Sequence, residues 1–174
     1  MSYVFELFRP LPGTDPRQLP EKNQDAESGD SVPTELNPGP IDPKAEQEKD
    51  RLAAALTARH PALERFQPDY AKIASLYSID PAEARRRYRQ VELNESRYSL
   101  QIYLFDNAAG ASFSFSGSPE ESKKALQLLW DCLQLLEAEG RFSIYDAQVG
   151  RVLDLSKDFN VVLKTACDVE PAGN

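Results

Sequence analysis

The chain has few of the side chains on which metal and nucleophile chemistry depends. Its 174 residues include one histidine, His60, and two cysteines, Cys132 and Cys167. A single histidine excludes multi-histidine metal sites, and cysteines without a Cys-x-x-Cys or Cys/His spacing indicate neither a zinc site nor a disulfide framework. We therefore expect no metal and no cofactor. A reducing compartment, the cytoplasm, fits this cysteine content best.

The common catalytic motifs are also missing. The sequence contains no GxGxxG, GxxxxGK[ST], GxSxG or HExxH, so nucleotide-binding, serine-hydrolase and zinc-protease functions lack their required parts. Carboxylates are abundant, with 28 Asp plus Glu. An acid–base pair, however, needs two of them in one cleft, which a sequence does not show. Catalysis is thus disfavoured.

Long apolar runs and an excess of basic charge are absent as well. No stretch approaches the ~18 apolar residues that span a bilayer, and the first eight residues include Glu6 where a signal peptide needs an apolar core. The net charge of −8 disfavours nucleic acid, because phosphate binding requires a basic surface. We expect a cytoplasmic protein that binds neither membranes nor nucleic acid and is open to a basic protein partner.

The hydrophobic residues that are present alternate with period two in several segments. Leu100, Ile102 and Leu104 alternate with Gln101 and Tyr103, a pattern typical of a strand with one buried face. The same pattern predicts strands over residues 3–8, 91–93, 98–105, 111–115, 142–145 and 151–155. Residues 106–110 form the predicted turn of a hairpin.

Helical patterns separate these strands. Capping sequences begin helices at Asp80 and Ser118, and a row of leucines at 126, 129, 133 and 136 predicts a helix that lies across one sheet face and ends at Gly140. Further helices are predicted over residues 42–59, 69–77 and 156–166. The order indicates an α+β fold: an antiparallel sheet of about five or six strands with helices packed on it.

The domain organisation follows from length and composition. A chain of 174 residues is most simply a single domain, 1–174. Residues 10–43 hold eight of the thirteen prolines and few aliphatic side chains. Because so little apolar surface cannot offset the entropy of ordering them, this segment is predicted to be a Pro-rich mobile loop.

The turn between the last two predicted strands is a candidate partner-binding site. It gathers an aromatic ring, an acid, an amide and a guanidinium, those of Tyr145, Asp146, Gln148 and Arg151, on a rigid connection. A structural role is the stronger alternative, in which Asp146 makes an Asx-turn and Gly150 supplies a positive φ.

Tyr103 and Phe105 are a second candidate, because they point away from the buried side of their strand. If no helix covers that face, they form an aromatic patch suited to a protein partner. If the N-terminal helices cover it, they are ordinary core. With three predicted helices before the sheet and two after it, we favour core.

Two basic features have structural explanations. His60 precedes Pro61 at a helix end, where histidine interacts with the terminal carbonyls. One basic cluster consists of Arg85, Arg86, Arg87 and Arg89. Placed in the last turn of the Asp80 helix, it complements the helix dipole, and an anion-binding patch is the alternative.

Four short segments carry a resemblance: MSY at residues 1–3, QVELN at 90–94, LFDN at 104–107 and YDAQVGRVLD at 145–154. Together they resemble a group of small bacterial proteins with no established activity, so the resemblance implies no functional residues. Similar small acidic bacterial proteins often neutralise toxins, an analogy of size and charge.

The leading hypothesis is therefore a non-enzymatic protein-binding module, with toxin neutralisation, as by an immunity protein, as its most concrete form. A secretion chaperone or adaptor is one alternative, and it predicts a homodimer with an exposed apolar groove. A small carboxylate-dependent hydrolase is the other. It predicts a pocket with two acids about 5 to 9.5 Å apart if it cleaves glycosides.

Overall fold

A seven-stranded antiparallel sheet with five helices is formed by the residues that the structure, a computed structural model, describes: 2–10, 12–15, 39–114 and 118–168. The strands are β1 (Ser2–Phe8), β2 (Glu64–Arg65), β3 (Val91–Glu95), β4 (Leu100–Leu104), β5 (Ala108–Ser114), β6 (Ser143–Asp146) and β7 (Arg151–Val152). The helices are α1 (Pro43–Arg59), α2 (Tyr70–Tyr77), α3 (Pro81–Arg87), α4 (Pro119–Gly140) and α5 (Phe159–Asp168). The predicted α+β class is confirmed.

The first strand lies inside the sheet, whose order is β2-β3-β4-β5-β1-β6-β7. β1 pairs along its whole length with β5, which places Tyr3 opposite Phe113 and Leu7 opposite Ala109. Its other edge pairs with β6. The two halves of the sheet are therefore joined through the N-terminal strand, as its apolar character predicts.

One side of the sheet is buried, and we call it the covered face. Its side chains are Tyr3, Phe5, Leu7, Val91, Leu93, Leu100, Ile102, Leu104, Ala109, Ala111, Phe113 and Ile144. The predicted leucine row of α4 packs here, and all four of its leucines are 0% exposed. At about 2 kcal/mol for each fully buried leucine, this row is a large part of the core.

Capping side chains start the helices where the sequence indicates. Asp42, Asp69, Asp80 and Ser118 each accept a hydrogen bond from a backbone N–H in the first turn of α1, α2, α3 and α4. Such a bond satisfies one of the amides that a helix start leaves without a partner.

The ends of two helices differ in detail from the prediction. At the end of α4 the left-handed residue is Arg141 (φ 57°) rather than Gly140. Gly140 is needed for space, because an added Cβ would lie 2.6 Å from the Phe142 ring. At the end of α1, His60 donates its backbone N–H to Leu56 O, while its imidazole Nε2 lies 3.9 Å from an oxygen of Asp131.

Three other parts of the secondary structure differ from the prediction. β2 is unpredicted, because two residues are too few to show an alternation. The turn of the β4–β5 hairpin is shorter than residues 106–110: Phe105 N–H donates to Ala108 O at 2.9 Å, and Ala108–Ser114 is all strand. β7 ends at Val152, and α5 begins only at Phe159, because the N–H and hydroxyl of Ser156 bond the carboxylate of Asp154 in a turn.

Most of the predicted 10–43 loop lies outside the described residues, which leaves its mobility as a prediction. Within it the structure describes residues 10, 12–15 and 39–43, and Pro43 is the first residue of α1.

Truncating the α4 leucine row should test how much the fold depends on it. We expect Leu129→Ala to lower the free energy of unfolding by about 3 kcal/mol, because it leaves a cavity in the core. The matched control is Leu76→Ala on α2, where the side chain is 74% exposed and the expected change is below about 0.5 kcal/mol. Urea denaturation measures both, and equal effects would contradict the assigned packing.

Candidate functional site

The second side of the sheet remains in contact with solvent, and we call it the open face. Its side chains are Val4, Glu6, Phe8, Glu64, Glu92, Asn94, Gln101, Tyr103, Phe105, Ala108, Gly110, Ser112, Ser114, Ser143, Tyr145 and Val152. Each is partly or fully exposed, whereas the covered face is almost completely buried. Helices of the described part of the chain therefore cover only one side of the sheet.

The arrangement of the helices explains this asymmetry. α1 and α4 contact the strands, and α5 packs on α4. Their buried side chains belong to the same core as the covered face. α2 and α3, which connect β2 to β3, pack mainly against each other. The interpretation of Tyr103 and Phe105 as core is therefore not what the structure shows, because the N-terminal helices leave both rings partly exposed.

Strand register places two tyrosines in one row across the open face. From β3 to β7 the row consists of Glu92, Tyr103, Gly110, Glu6, Tyr145 and Val152. Tyr103 and Tyr145 are separated by three strand spacings, about 14 Å. The register thus brings these two candidate residues, 42 positions apart in the chain, onto one surface.

The ring of Phe105 extends the aromatic surface next to Tyr103. Their centroids are 6.4 Å apart with 11° between the planes, a stacked arrangement. Burial and then the charge of Glu92 raise the pKa of Tyr103, so its phenol stays protonated. The pair is a neutral aromatic platform with a hydroxyl at one end.

A groove runs along β5 beside this platform. By register its floor consists of the small residues Ala108, Gly110 and Ser112. Its walls are Tyr103 on β4, Phe105 directly after β4, and Val4, Glu6 and Phe8 on β1. Among described atoms outside the neighbouring residues, a Cβ added at Gly110 would meet only the Phe5 carbonyl oxygen, at 3.9 Å. The centre of the groove is open.

Among the residues that the structure describes, the charged side chains of the open face are all acidic. They are Glu6, Glu64 and Glu92, and no described lysine or arginine lies on this face. Glu92 accepts a hydrogen bond from the Asn94 amide at 2.8 Å. Within the described part of the chain, Glu6 and Glu64 have neither an ion pair nor a side-chain hydrogen bond.

Asp146, in contrast, lies on the other side of the sheet and is fully buried. Its carboxylate accepts hydrogen bonds from the Tyr3 hydroxyl at 2.6 Å and from the backbone N–H groups of Gln148 and Val149 at 2.9 and 3.0 Å. Burial, and then the hydrogen bond from its hydroxyl to Asp146, raise the pKa of Tyr3. Asp146 therefore makes the Asx-turn, with Gly150 at φ +77°, and we leave it out of the candidate surface.

The other two turn residues lie at the rim. Gln148 is exposed, and in the amide orientation that satisfies its neighbours its nitrogen donates to Val4 O at 3.0 Å. Arg151 binds both carboxylate oxygens of Asp158 at 2.7 Å. This pairing is the main reason that the pKa of Asp158 is lowered. The turn is thus fastened to β1 on one side and to the start of α5 on the other.

A buried ionic cluster lies at one end of the sheet and was not predicted. Lys49 and Arg89 are 2% and 4% exposed. Both bind Asp106, Lys49 Nζ at 2.9 Å and an Arg89 Nη at 2.5 Å. Burial raises the pKa of Asp106, but hydrogen bonds from Arg89 and Lys49 outweigh it, so the pKa is lowered.

This cluster corrects the prediction for the four arginines. Arg85, Arg86 and Arg87 do lie in the last turn of α3, where Arg86 and Arg87 pair with Glu83. Arg89 lies beyond the helix and is buried in the ionic cluster. One feature of the sequence could have predicted the buried cluster. Lys49 lies one turn before Leu52 and Ala53, on the same side of α1, and that side is buried.

A pocket of about 280 Å³ beside the cluster includes two carboxylates, those of Glu46 and Asp50. Both are held by cations: Glu46 lies 2.6 Å from Lys49 Nζ and Asp50 lies 2.7 Å from Arg65. An acid–base pair needs groups that can reach a substrate proton. These two acids are instead engaged within the protein.

Other reactive groups in the described part of the chain are few. No three His, Cys, Asp or Glu side chains in it are placed to hold a metal ion. No helix in it is long and apolar enough to cross a membrane. Cys132 is buried, and burial raises the pKa of its thiol to about 12, so the reactive thiolate does not form near neutral pH.

Comparison with known proteins yields no match: no family model, no curated protein and no solved structure is similar to this chain.

The ionic cluster should make stability depend on acid pH. The folded-state pKa of Asp106 lies below its ordinary value of 3.8. The carboxylate therefore stabilises the fold above pH 3.8, and this contribution is lost as the pH falls through the lower folded-state pKa. We expect Asp106→Asn to lower the free energy of unfolding at pH 7 by about 3 kcal/mol, because two buried cations lose a counter-charge. The variant should also lose less further stability below pH 4 than the unmodified chain.

Urea denaturation at several pH values measures both effects. Glu64→Gln, which neutralises an exposed acid without an ion pair, is the control and should change stability by less than about 0.5 kcal/mol. A variant Asp106→Asn that is as stable as this control at pH 7 would contradict the role of the cluster.

Proposed function

We propose that this chain is a non-enzymatic protein-binding module and that the open face of its sheet is the binding surface. The observation that carries the proposal is the partly exposed row of Tyr103 and Tyr145, extended by Phe105, on a sheet face that no described helix covers. Tyrosine and phenylalanine are enriched in the cores of protein interfaces, and aromatic anchors contribute much of the binding energy there.

The sheet edges are less suited to binding than the face. Its outer strands, β2 and β7, have two residues each. A partner that adds a strand needs a long row of free backbone groups, and edges this short offer few. A partner is therefore expected to lie across the face.

Charge supports a basic partner. The chain has a net charge of −8, and no cation from the described ranges lies on the open face to offset its carboxylates. Opposite charge accelerates encounter and favours the correct orientation of the two proteins. Neutralisation of a basic toxin, as by an immunity protein, is the most concrete form of this proposal.

A secretion chaperone or adaptor is the second candidate, and the groove along β5 is the observation that favours it. This function predicts a homodimer, whereas toxin neutralisation is compatible with a monomer. Light scattering after size-exclusion chromatography separates the two. No comparable observation favours a carboxylate-dependent hydrolase, because the acids that line two of its pockets are already paired. Glu46 and Asp50 bind cations as described above, and in a second pocket Asp154 pairs with Lys157 and Asp158 with Arg151.

The proposal predicts that the tyrosine row is required for binding a partner. The unmodified chain, used as bait in an extract of its own cells, should recover a protein whose purified form binds it directly. We expect Tyr103→Ser with Tyr145→Ser to weaken that purified complex at least 30-fold, since a truncated anchor costs about 2 kcal/mol or more. Calorimetry measures the dissociation constants.

The control is Leu76→Ser with Tyr77→Ser on α2, which removes two exposed apolar side chains that do not belong to the open face and should leave binding unchanged. Thermal unfolding checks that both variants fold. Equal affinity of the two double variants would contradict the proposal, as would repeated recovery of a metabolite with no protein.

A further inference from the structure

The groove along β5 has the dimensions of a slot for one side chain. Its walls stand on β4 and β1, two strand spacings or about 10 Å apart between backbones, and the wall side chains narrow this width. From Ala108 to Ser114 the floor is about 20 Å long. A helix about 10 Å in diameter does not fit, whereas an extended segment with one side chain directed into the groove does.

Glu6 gives the middle of the slot a negative charge. By register it lies between Gly110 and Tyr145, and Tyr103 lies on the far side of Gly110. Glu6 is an exposed residue, and its carboxylate has no ion-pair partner within the described part of the chain. The order along the row is thus Tyr103, Gly110, Glu6 and Tyr145. Glu6 lies next to the one residue that lacks a side chain, and a tyrosine lies at each end of this group.

The charge determines which occupant fits. An apolar side chain would bury the Glu6 carboxylate without a counter-charge, which is strongly unfavourable. An anionic one would be repelled by Glu6 and by Glu92, which lies next to Tyr103 in the row. A second copy of this chain would bring one acidic face against another. A cation avoids all three penalties.

We infer that the groove receives a cationic side chain, arginine in preference to lysine, from an extended segment of a partner protein. The Glu6 carboxylate is its counter-ion and the Tyr103 ring is its stacking surface. Arginine fits best because its planar guanidinium stacks on aromatic rings and binds carboxylates with two parallel hydrogen bonds. The inference rests on the proposed protein-binding function, whose partner it specifies.

Three variants separate this slot from the rest of the open face. Glu6→Gln removes the charge at nearly constant shape. Gly110→Val fills the floor, and it does so without backbone strain because Gly110 is not among the glycines with positive φ. Glu64→Gln removes another exposed acid of the open face, on β2 outside the groove, and is the matched control.

The probe is a set of blocked five-residue peptides, Thr-Val-X-Val-Thr, in which X is arginine, lysine, citrulline or glutamate. Citrulline retains the shape of arginine and lacks its charge. In NMR titrations at millimolar peptide we expect the arginine peptide to shift the amide signals of Glu6, Tyr103 and Gly110 in a saturable way. The lysine peptide should bind more weakly, and the other two should not bind.

The variants should then change the arginine titration in a defined order. We expect Glu6→Gln to weaken binding at least tenfold, Gly110→Val to abolish it and Glu64→Gln to change it less than twofold. The inference is overturned if citrulline binds as well as arginine, if Glu6→Gln has no effect or if no peptide shifts these signals. Formation of a dimer that Gly110→Val disrupts would also overturn it, since the occupant would then be a second copy.

The same variants distinguish this inference from the proposed function. If the purified partner loses affinity for the tyrosine double variant and not for Glu6→Gln or Gly110→Val, the open face binds protein but the cation slot is wrong. If the partner is insensitive to all of them, both proposals fail.

Discussion

The structure depends above all on the burial of one amphipathic helix against one side of a sheet. The leucine row of α4 is fully buried against the covered face, and α1 and α5 pack beside it. This burial needs β1 in the centre of the sheet, because β1 joins β5 to β6 and completes the surface on which α4 lies. Most of the buried apolar side chains lie on that side, and no helix in the described ranges covers the opposite side.

That asymmetry separates the structural polar groups from those available for binding. On the covered side, Asp146 and Asp106 are tied to the Tyr3 hydroxyl and to two cations, as buried polar groups must be. On the open side, Glu6 and Glu64 have no such partners in the described part of the chain, and the rings of Tyr103, Phe105 and Tyr145 retain exposure. Unpaired acids on the same face as partly exposed aromatic rings suit a surface that meets a cationic partner.

Local patterns predicted most of the fold and only part of the site. The caps at Asp80 and Ser118, the alternation in β4 and the leucine row are short-range signals, and they predicted elements close to the observed ones. Long-range packing decides which sheet face the helices cover, and the sequence pattern does not show it. For this reason the ring of Tyr103 was predicted to lie in the core. The buried Lys49 was missed because a lysine in an apolar row usually extends to solvent, and its partner Asp106 is distant in the chain. The alignment of Tyr103 with Tyr145 required the register of four strands.

Hydroxyl-radical footprinting of the free protein tests most directly whether one sheet face is sealed and the other is open. We expect faster oxidation of Tyr103, Phe105 and Tyr145 and strong protection of Phe5 and Phe113, which lie on strands of the same sheet with their rings on the covered face. Protection of Tyr103 and Tyr145 equal to that of Phe113 would show that the open face is covered in solution and would contradict this arrangement.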